Sequence, residues 1–423
     1  MGESLRRIWG SQSVWIATLT FFCFLRVFQV TLLQNPVDVL FSDPARHWDN
    51  AKNFLTPGPM GCSNAFLYQA YLFGVQYITG ERHAGIALVT SALSLLLPLS
   101  WSLFAGEVLR SRLNVLRFVT VVSALPTFSF MYMFFMAETL LLPLLGLSLW
   151  LSWRSVRLQS GLNLFGAILL WLLCILTRPV VLPVALVILL WAIIRIRGRI
   201  LPLALATVLS SPVVYFSAEH SYEHFYSYSP VGHDGSLTAV AFLSGAKTWV
   251  VRFTHGYWYI YESPSFSIPP FWPFSEWKGS REGKFEFAVD REKRGQDLTE
   301  TAWKLAKENA YKLPRFVLEN QAFLLFGHSW PDAHTGRLDG YICLWEKWIW
   351  FPLFLLSVWG SLSRIYRTGR MDPFDLLLLS FTLVVCLLQV NVLEGRYRKP
   401  VALIWLLGVF KLFDRESEGI RLA

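Results

Sequence analysis

Apolar runs in this chain alternate with two kinds of connection, and this alternation constrains the fold most. One kind is short and rich in arginine: Arg6, Arg7, Arg110, Arg112, Arg117, Arg154, Arg157, Arg195, Arg197, Arg199, Arg364, Arg367 and Arg370. The other kind is mixed or acidic and includes Asp43 and the stretch from about 218 to 341. Basic connections of membrane proteins face the cytoplasm. The alternation predicts a multi-pass membrane protein with Asp43, Glu138, Arg178 and Glu394 on the non-cytoplasmic side.

The composition agrees with a membrane class. Of the 423 residues, 54% are hydrophobic and 16% are charged, whereas a soluble domain carries about 25% charged residues. The net charge of +9 could suggest nucleic acid, but much of it lies in short loops beside apolar runs. Membrane lipids are therefore the expected partners, and no nucleic acid is expected. The spacing of the five cysteines indicates neither a disulfide nor a zinc site.

The apolar runs predict an all-α polytopic protein of about ten transmembrane helices. A helix needs about 20 apolar residues to cross the bilayer. On that basis the predicted spans lie near 14–33, 84–105, 116–136, 138–153, 162–177, 179–194, 200–217, 346–362, 374–391 and 399–413. An even number of spans places both termini in the cytoplasm.

Three regions follow from this topology. Residues 1–217 form an N-terminal transmembrane module with a first outer loop at 35–83, residues 218–345 form a long mixed extracytoplasmic region, and residues 346–423 form a C-terminal transmembrane module. Within the first outer loop, the apolar spacing of residues 44–55 predicts an amphipathic helix that lies on the membrane surface.

Asp43 is the first candidate for chemistry, because it stands between the first span and the predicted surface helix. Its carboxylate could cap the helix, or it could act as a general base at the membrane surface, and the two roles are compatible. Asp49 follows six residues later on another part of the helix. It could be catalytic or simply a solvated charge.

Two charged residues border apolar runs on the outer side. Arg178, within Thr177-Arg178-Pro179, could reach lipid headgroups or bind a lipid-linked phosphate. Glu138 could cap the helix that follows it or pair with an arginine such as Arg178.

A second charged cluster, Glu394-Gly395-Arg396-Tyr397-Arg398-Lys399-Pro400, precedes the last apolar run. It could anchor the helix at the interface. Its arginines also suit a phosphate, because guanidinium groups donate in a fixed fork and the helix start adds free amides. Cations on the outer side are an exception to the charge bias, which favours a binding function for Arg396, Tyr397 and Arg398.

The long outer region contributes candidate substrate-binding residues, His233, Asp234 and His255, together with Glu394. No histidine pair has a spacing typical of a metal site. We therefore predict no protein-bound metal and no certain cofactor, and we leave open whether a divalent cation takes part.

Taken together, these motifs resemble the integral-membrane GT-C glycosyltransferases. Residues 42–51 look like the acidic and aromatic first outer loop of that superfamily, and residues 57–80 look like the proline-rich and aromatic segment that follows. Glu138, Thr177-Arg178-Pro179 and the spacing Glu394-x-Arg396-Tyr397-x-x-Pro400 also have counterparts there. One departure is Pro44, which occupies a position where many relatives carry a second acid.

The resemblance implies an inverting transfer of a sugar from a polyprenyl-phosphate donor to a lipid, glycan or protein acceptor, as in mannosyl- or aminoarabinosyltransferases. It implies Asp43 as the base, Arg396 and Arg178 as phosphate ligands, and Asp49 or Glu138 as the second acid. A cell-envelope glycan enzyme of the bacterial inner membrane, active at its non-cytoplasmic face, is the expected form. The alternatives are a transporter or flippase for a lipid-linked sugar, and a structural subunit. Charge clustering at one face and the lack of a repeat weigh against transport.

Overall fold

The computed structural model describes residues 11–40, 42–56, 66–197, 200–225, 251–254, 257–261, 284–288, 307, 311, 325, 338–388 and 398–414. The helices are α1 (Gln12–Phe28, continued by a π-helical turn at Gln29–Leu33), α2 (Ser42–Lys52), α3 (Phe66–Thr79), α4 (His83–Val108), α5 (Arg112–Ala124), α6 (Pro126–Ser129), α7 (Glu138–Arg157), α8 (Gly161–Thr177), α9 (Leu182–Arg195), α10 (Ile200–Phe225), α11 (Leu338–Thr368), α12 (Pro373–Leu388) and α13 (Lys399–Phe413). Short 3₁₀ turns lie at Pro36–Asp38, Phe130–Met133 and Pro179–Val181.

The chain is a multi-pass, predominantly helical membrane protein. Within the described residues, five helices are long and apolar enough to cross a bilayer, and a bent pair of helices raises the number to six. Three shorter apolar helices, at Gly161–Thr177, Pro179–Arg195 and Pro373–Cys386, accompany them. The predicted class is therefore confirmed, while the count of ten spans stays a prediction.

The third predicted span, 116–136, is wrong as a single straight helix. Its first part is α5, and its second part runs from Pro126 to Met133 at an angle of 76° to the first. Proline has no backbone N–H and clashes with the preceding helical turn, so Pro126 ends the regular helix. Helices α10 and α11 extend beyond the predicted spans 200–217 and 346–362.

A small antiparallel sheet lies within the long outer region, where no strand was predicted. Its strands are β1 (Val251–Thr254), β2 (Tyr257–Tyr261) and β3 (Lys284–Ala288), in the order β1-β2-β3. Thr254 lies opposite Tyr257 in the first ladder, and Tyr257 lies opposite Ala288 in the second. The helix predicted near 44–55 is present as α2, and its place on the membrane surface stays a prediction.

One hydrophobic core joins the two predicted transmembrane modules. It combines buried side chains of α4, α5, α7, α8 and α9 with those of α11, α12 and α13. Its largest members are tryptophans, and two of their indole N–H groups bind across the core: Trp101 donates to the Leu142 carbonyl at 2.9 Å and Trp405 donates to Thr382 Oγ1 at 2.9 Å. Satisfied indoles of this kind let large apolar rings be buried without a polar penalty.

The arginine-rich connections meet at one end of the bundle, which we call the basic end. Arg157 at the end of α7 pairs with Glu107 at 2.9 Å, and Gln159 donates to the Arg195 carbonyl at 3.2 Å. Asp414 after α13 accepts from the Asn114 side chain at 2.7 Å. Each described helix that crosses the bundle therefore runs between this end and the opposite one, which contains Asp43, Glu138 and Arg178 and which we call the site end.

Candidate functional site

Helix α2, which carries Asp43, is fixed by packing at the site end. The Trp48 ring is buried and stacks on Phe135, with ring centroids 4.6 Å apart and planes 10° apart. Gln76 of α3 donates to the Trp48 backbone carbonyl at 2.9 Å. An aromatic stack and a buried hydrogen bond both restrict α2. The helix therefore holds its side chains in one orientation against α3 and the segment before α7.

Asp43 lies in the first turn of α2. Its carboxylate forms an ion pair with Arg46, one turn later. The Asp43 side chain is 15% exposed. A carboxylate near a helix N-terminus is favoured by the helix dipole, and a partly exposed one can still meet a substrate hydroxyl.

Glu138 and Arg178 form the second ion pair of the site. Arg178 Nη2 lies 2.7 Å from Glu138 Oε1, and the Glu138 side chain is only 4% exposed. Glu138 stands in the first turn of α7, while Arg178 follows the last residue of α8 and precedes Pro179, which ends that helix. The pairing of these two residues, which the sequence raised as one option, is therefore present.

His47 lies between the two ion pairs. Burial, together with the charges of Arg46 and Arg178, lowers the pKa of His47 to about 3, although Asp43 and Glu138 act in the opposite direction. Interactions of this kind decline with distance, so Asp43, Arg46, Glu138 and Arg178 all lie near enough to act on one imidazole. The structure thus gathers three sequence-predicted residues, Asp43, Glu138 and Arg178, into one cluster around a neutral histidine.

Tyr68 of α3 closes the inner side of this cluster. Its ring meets His47 edge to face, with centroids 5.2 Å apart. Its hydroxyl hydrogen-bonds the side chain of Thr139, the neighbour of Glu138. Burial raises the pKa of Tyr68 well above its usual value, so the hydroxyl stays neutral. A buried, neutral hydroxyl can fix a neighbouring polar group without adding charge.

Sequence reasoning missed Arg46, His47 and Tyr68 as site residues. Arg46 and His47 follow Asp43 by three and four residues in α2, which is the spacing of side chains on one helix face. That spacing could have identified both residues. Tyr68 had no such signal, because its place beside His47 depends on the packing of α3 against α2.

The remaining predicted residues lie at other positions, in part outside the residues that the structure describes. Asp49 is exposed on another face of α2. Arg398 is buried at the start of α13. It lies at the site end, because Lys411 near the other end of α13 pairs with Asp372 at the basic end, at 2.6 Å. Predictions for Glu394, Arg396, Tyr397, His233, Asp234 and His255 concern positions outside the described residues.

An aromatic cluster borders the site near the end of α2. His220 of α10 packs on Phe54, with ring centroids 4.5 Å apart, and on Phe66, with centroids 5.3 Å apart. Phe216 of the same helix contacts both phenylalanines. This cluster ties α10 to both sides of the first outer loop and covers the site end laterally.

The described part of the chain holds no group of three or more His, Cys, Asp or Glu side chains that could bind a metal ion. Comparisons with protein-family models, with curated proteins and with solved structures found no match for this chain.

The arrangement combines a partly exposed carboxylate with two guanidinium groups at one end of a membrane bundle. A carboxylate can accept a proton from a hydroxyl, and guanidinium groups stabilise phosphate oxygens. The charges nearly cancel within the cluster, so the site suits a reaction that moves one proton and one negative charge between bound groups.

Proposed function

We propose that this chain is an inverting glycosyltransferase of the GT-C type, which moves a sugar from a polyprenyl-phosphate donor to an acceptor hydroxyl at the non-cytoplasmic membrane face. The proposal rests mainly on one observation. Asp43 of a surface helix converges with the Glu138–Arg178 pair around buried His47. The resemblance of the first outer loop to that superfamily adds the donor class.

In this proposal Asp43 acts as the base. It takes the proton of the acceptor hydroxyl while the acceptor oxygen forms a bond to the anomeric carbon. The bond between that carbon and the phosphate oxygen breaks, and the polyprenyl phosphate leaves with the electron pair and stays anchored in the bilayer. The configuration inverts because attack and departure take place on opposite faces of the sugar.

The cations stabilise the departing phosphate. Arg178 is held in place by Glu138 at 2.7 Å, and preorganised donors of this kind are worth most where charge develops in a site with little water. Arg396, Tyr397 and Arg398 remain proposed phosphate ligands, and His233, Asp234, His255 and Glu394 remain proposed substrate contacts. Glu138, through its pair with Arg178, has a better claim than exposed Asp49 to the second acidic role.

A transporter for a lipid-linked sugar is the second candidate, because one charged residue lies inside a span and not at the site end. Arg26 is buried within the first span and is 1% exposed, and the bent pair α5 and α6 interrupts another span. Transporters use charges inside the membrane and broken helices in this way.

One experiment separates the two functions. The purified full-length protein is mixed with radiolabelled polyprenyl-phosphate sugars and a native lipid extract, and in parallel is reconstituted into sealed vesicles loaded on one face with the same donors. Label that moves from the donor to an acceptor supports the transferase and identifies the sugar. Unchanged donor that crosses the vesicle membrane supports the transporter and contradicts the proposal.

A further inference from the structure

Arg26 stands in the middle of the first span, where a charged side chain is costly unless it has partners. The described structure gives it two, both backbone carbonyls: Arg26 Nη1 donates to the Ser94 carbonyl at 3.3 Å, and Nη2 donates to the Val122 carbonyl at 3.1 Å. The guanidinium also lies over the ring of Tyr132, 5.8 Å from its centroid. A single side chain of α1 therefore contacts α4, α5 and the segment that follows α6.

Both carbonyls lack their ordinary helical donor for the same reason. In an α-helix a carbonyl accepts from the amide four residues later. The residue four positions after Ser94 is Pro98, and the residue four positions after Val122 is Pro126. Neither proline has an N–H group, so the two carbonyls that Arg26 binds are those that proline has freed.

Tyr132 repeats the pattern at a third helix. Its hydroxyl donates to the Thr139 carbonyl at 3.3 Å, and the residue four positions after Thr139 is Pro143, inside α7. Prolines are tolerated in membrane helices where neighbouring groups satisfy the freed carbonyls. Arg26 and Tyr132, stacked on each other, do this for three proline-interrupted helices.

We propose that Arg26 and Tyr132, together called the proline pin, are positioning residues of the site. Thr139, which the pin holds by its carbonyl, follows Glu138 directly and is hydrogen-bonded by Tyr68. The pin thus fixes the first turn of α7, and with it the carboxylate that orients Arg178. Its effect on turnover rests on the proposed function, whereas its effect on stability does not.

The structural half of the inference is tested by a double-mutant cycle on the thermal midpoint of the purified full-length protein. Replacing Arg26 by Met removes both donors and should lower the midpoint by about 4 °C. In a Pro98→Ala or Pro126→Ala background the same replacement should cost about half as much, because the alanine amide bonds one of the two freed carbonyls. Pro212→Ala is the matched control: Pro212 lies inside α10, and its freed Val208 carbonyl is bound by Ser211 Oγ at 2.9 Å.

An equal loss in all four backgrounds, wild type included, would overturn the pin. Should Arg26→Met fail to fold, Tyr132→Phe with and without Pro143→Ala gives the same comparison from the removal of one hydroxyl. Recovery of the midpoint by Pro143→Ala is the expected result, and the absence of recovery counts against the proposal.

The proposal that Arg26 and Tyr132 position the site is tested by the turnover of these folded variants. Tyr132→Phe should lower kcat about tenfold with KM for the donor almost unchanged, because the reacting groups shift while the binding surface stays. Pro143→Ala should restore most of the loss. Full turnover in Tyr132→Phe would show that the pin is structural only. If instead Asp43→Asn keeps full transfer, the proposed function fails while the midpoint cycle still decides the pin.

Discussion

At the site end, Glu138 and Arg178 are held in place because their opposite charges neutralise each other. Glu138 is almost completely buried, and Arg178 is 23% exposed. A buried carboxylate would be strongly disfavoured alone, so the partner that neutralises it also fixes its place. Each member of the pair therefore stabilises its partner more than it stabilises the rest of the bundle.

The ion pair predicts that removing one charge destabilises the protein more than removing both. Arg178→Met should destabilise the protein by about 3 kcal/mol, since it leaves Glu138 buried without its partner. The double variant Arg178→Met with Glu138→Gln should lose less than the single one. Chemical denaturation of purified protein in detergent measures both free energies of unfolding. A double variant that loses the sum of the two single losses would show that the pair is not coupled.

His47 predicts a pH dependence of stability. Its folded pKa of about 3 lies below the usual value of about 6.5, so the unfolded chain binds a proton that the folded chain excludes. The contribution of His47 to the free energy of unfolding is complete above pH 6.5. It is lost as the pH falls toward 3, by up to about 1.4 kcal/mol per pH unit. The thermal midpoint should therefore fall between pH 7 and pH 5, and less so in His47→Gln. Equal falls in the two proteins would refute the assignment.

Among the helices, α2 becomes part of the site by packing rather than by propensity. Helix α2 is short and polar, and its stability comes from Trp48 against Phe135 and from Gln76 of α3. The same principle explains α5 and α6, where proline breaks the helix and a side chain from another span satisfies the freed carbonyl. Elements at this end depend on partners that are distant in sequence.

The stack predicts that Trp48→Ala destabilises the protein by about 3–5 kcal/mol, because a fully buried aromatic ring leaves a cavity. Trp359→Ala is the matched control, since Trp359 of α11 is 59% exposed and its loss should change stability by less than about 0.5 kcal/mol. Thermal midpoints of the two variants in the same detergent make the comparison. Similar losses in both would mean that the stack does not hold α2.

The whole molecule is organised by its two ends. Connections rich in arginine contact one another at the basic end, and the charges of Asp43, Glu138 and Arg178 act on the same histidine at the other. We propose from the charge bias that the basic end faces the cytoplasm. The site end then faces the non-cytoplasmic side, which suits an acceptor that arrives from outside.

This orientation is checked by cysteine labelling in a background without the native cysteines. Asp38 at the site end and Arg370 at the basic end are both exposed. Asp38→Cys should react with a membrane-impermeant maleimide in intact cells, whereas Arg370→Cys should react only after permeabilisation. The reverse pattern would invert the topology and place the site in the cytoplasm.

Sequence patterns predicted those features of the fold that depend on local properties of the chain. Apolar length and charge bias act locally, so they predicted the membrane class, most of the helix positions and the common end of Asp43, Glu138 and Arg178. They did not predict the break at Pro126, the small sheet or the role of Arg26. The partners of Arg26 are carbonyls 68 and 96 residues away, and only the folded bundle brings them within reach.

The proposed glycosyl transfer depends most on Asp43, which acts as its base. The most direct measurement is the single-turnover rate of sugar transfer at saturating donor for wild type, Asp43→Asn and the matched control Asp38→Asn, whose carboxylate is half exposed outside the cluster. We predict that Asp43→Asn binds the donor but loses about a thousandfold in rate, while Asp38→Asn stays within about twofold of wild type, as expected for an exposed surface position. Transfer by Asp43→Asn at the rate of wild type would contradict the account.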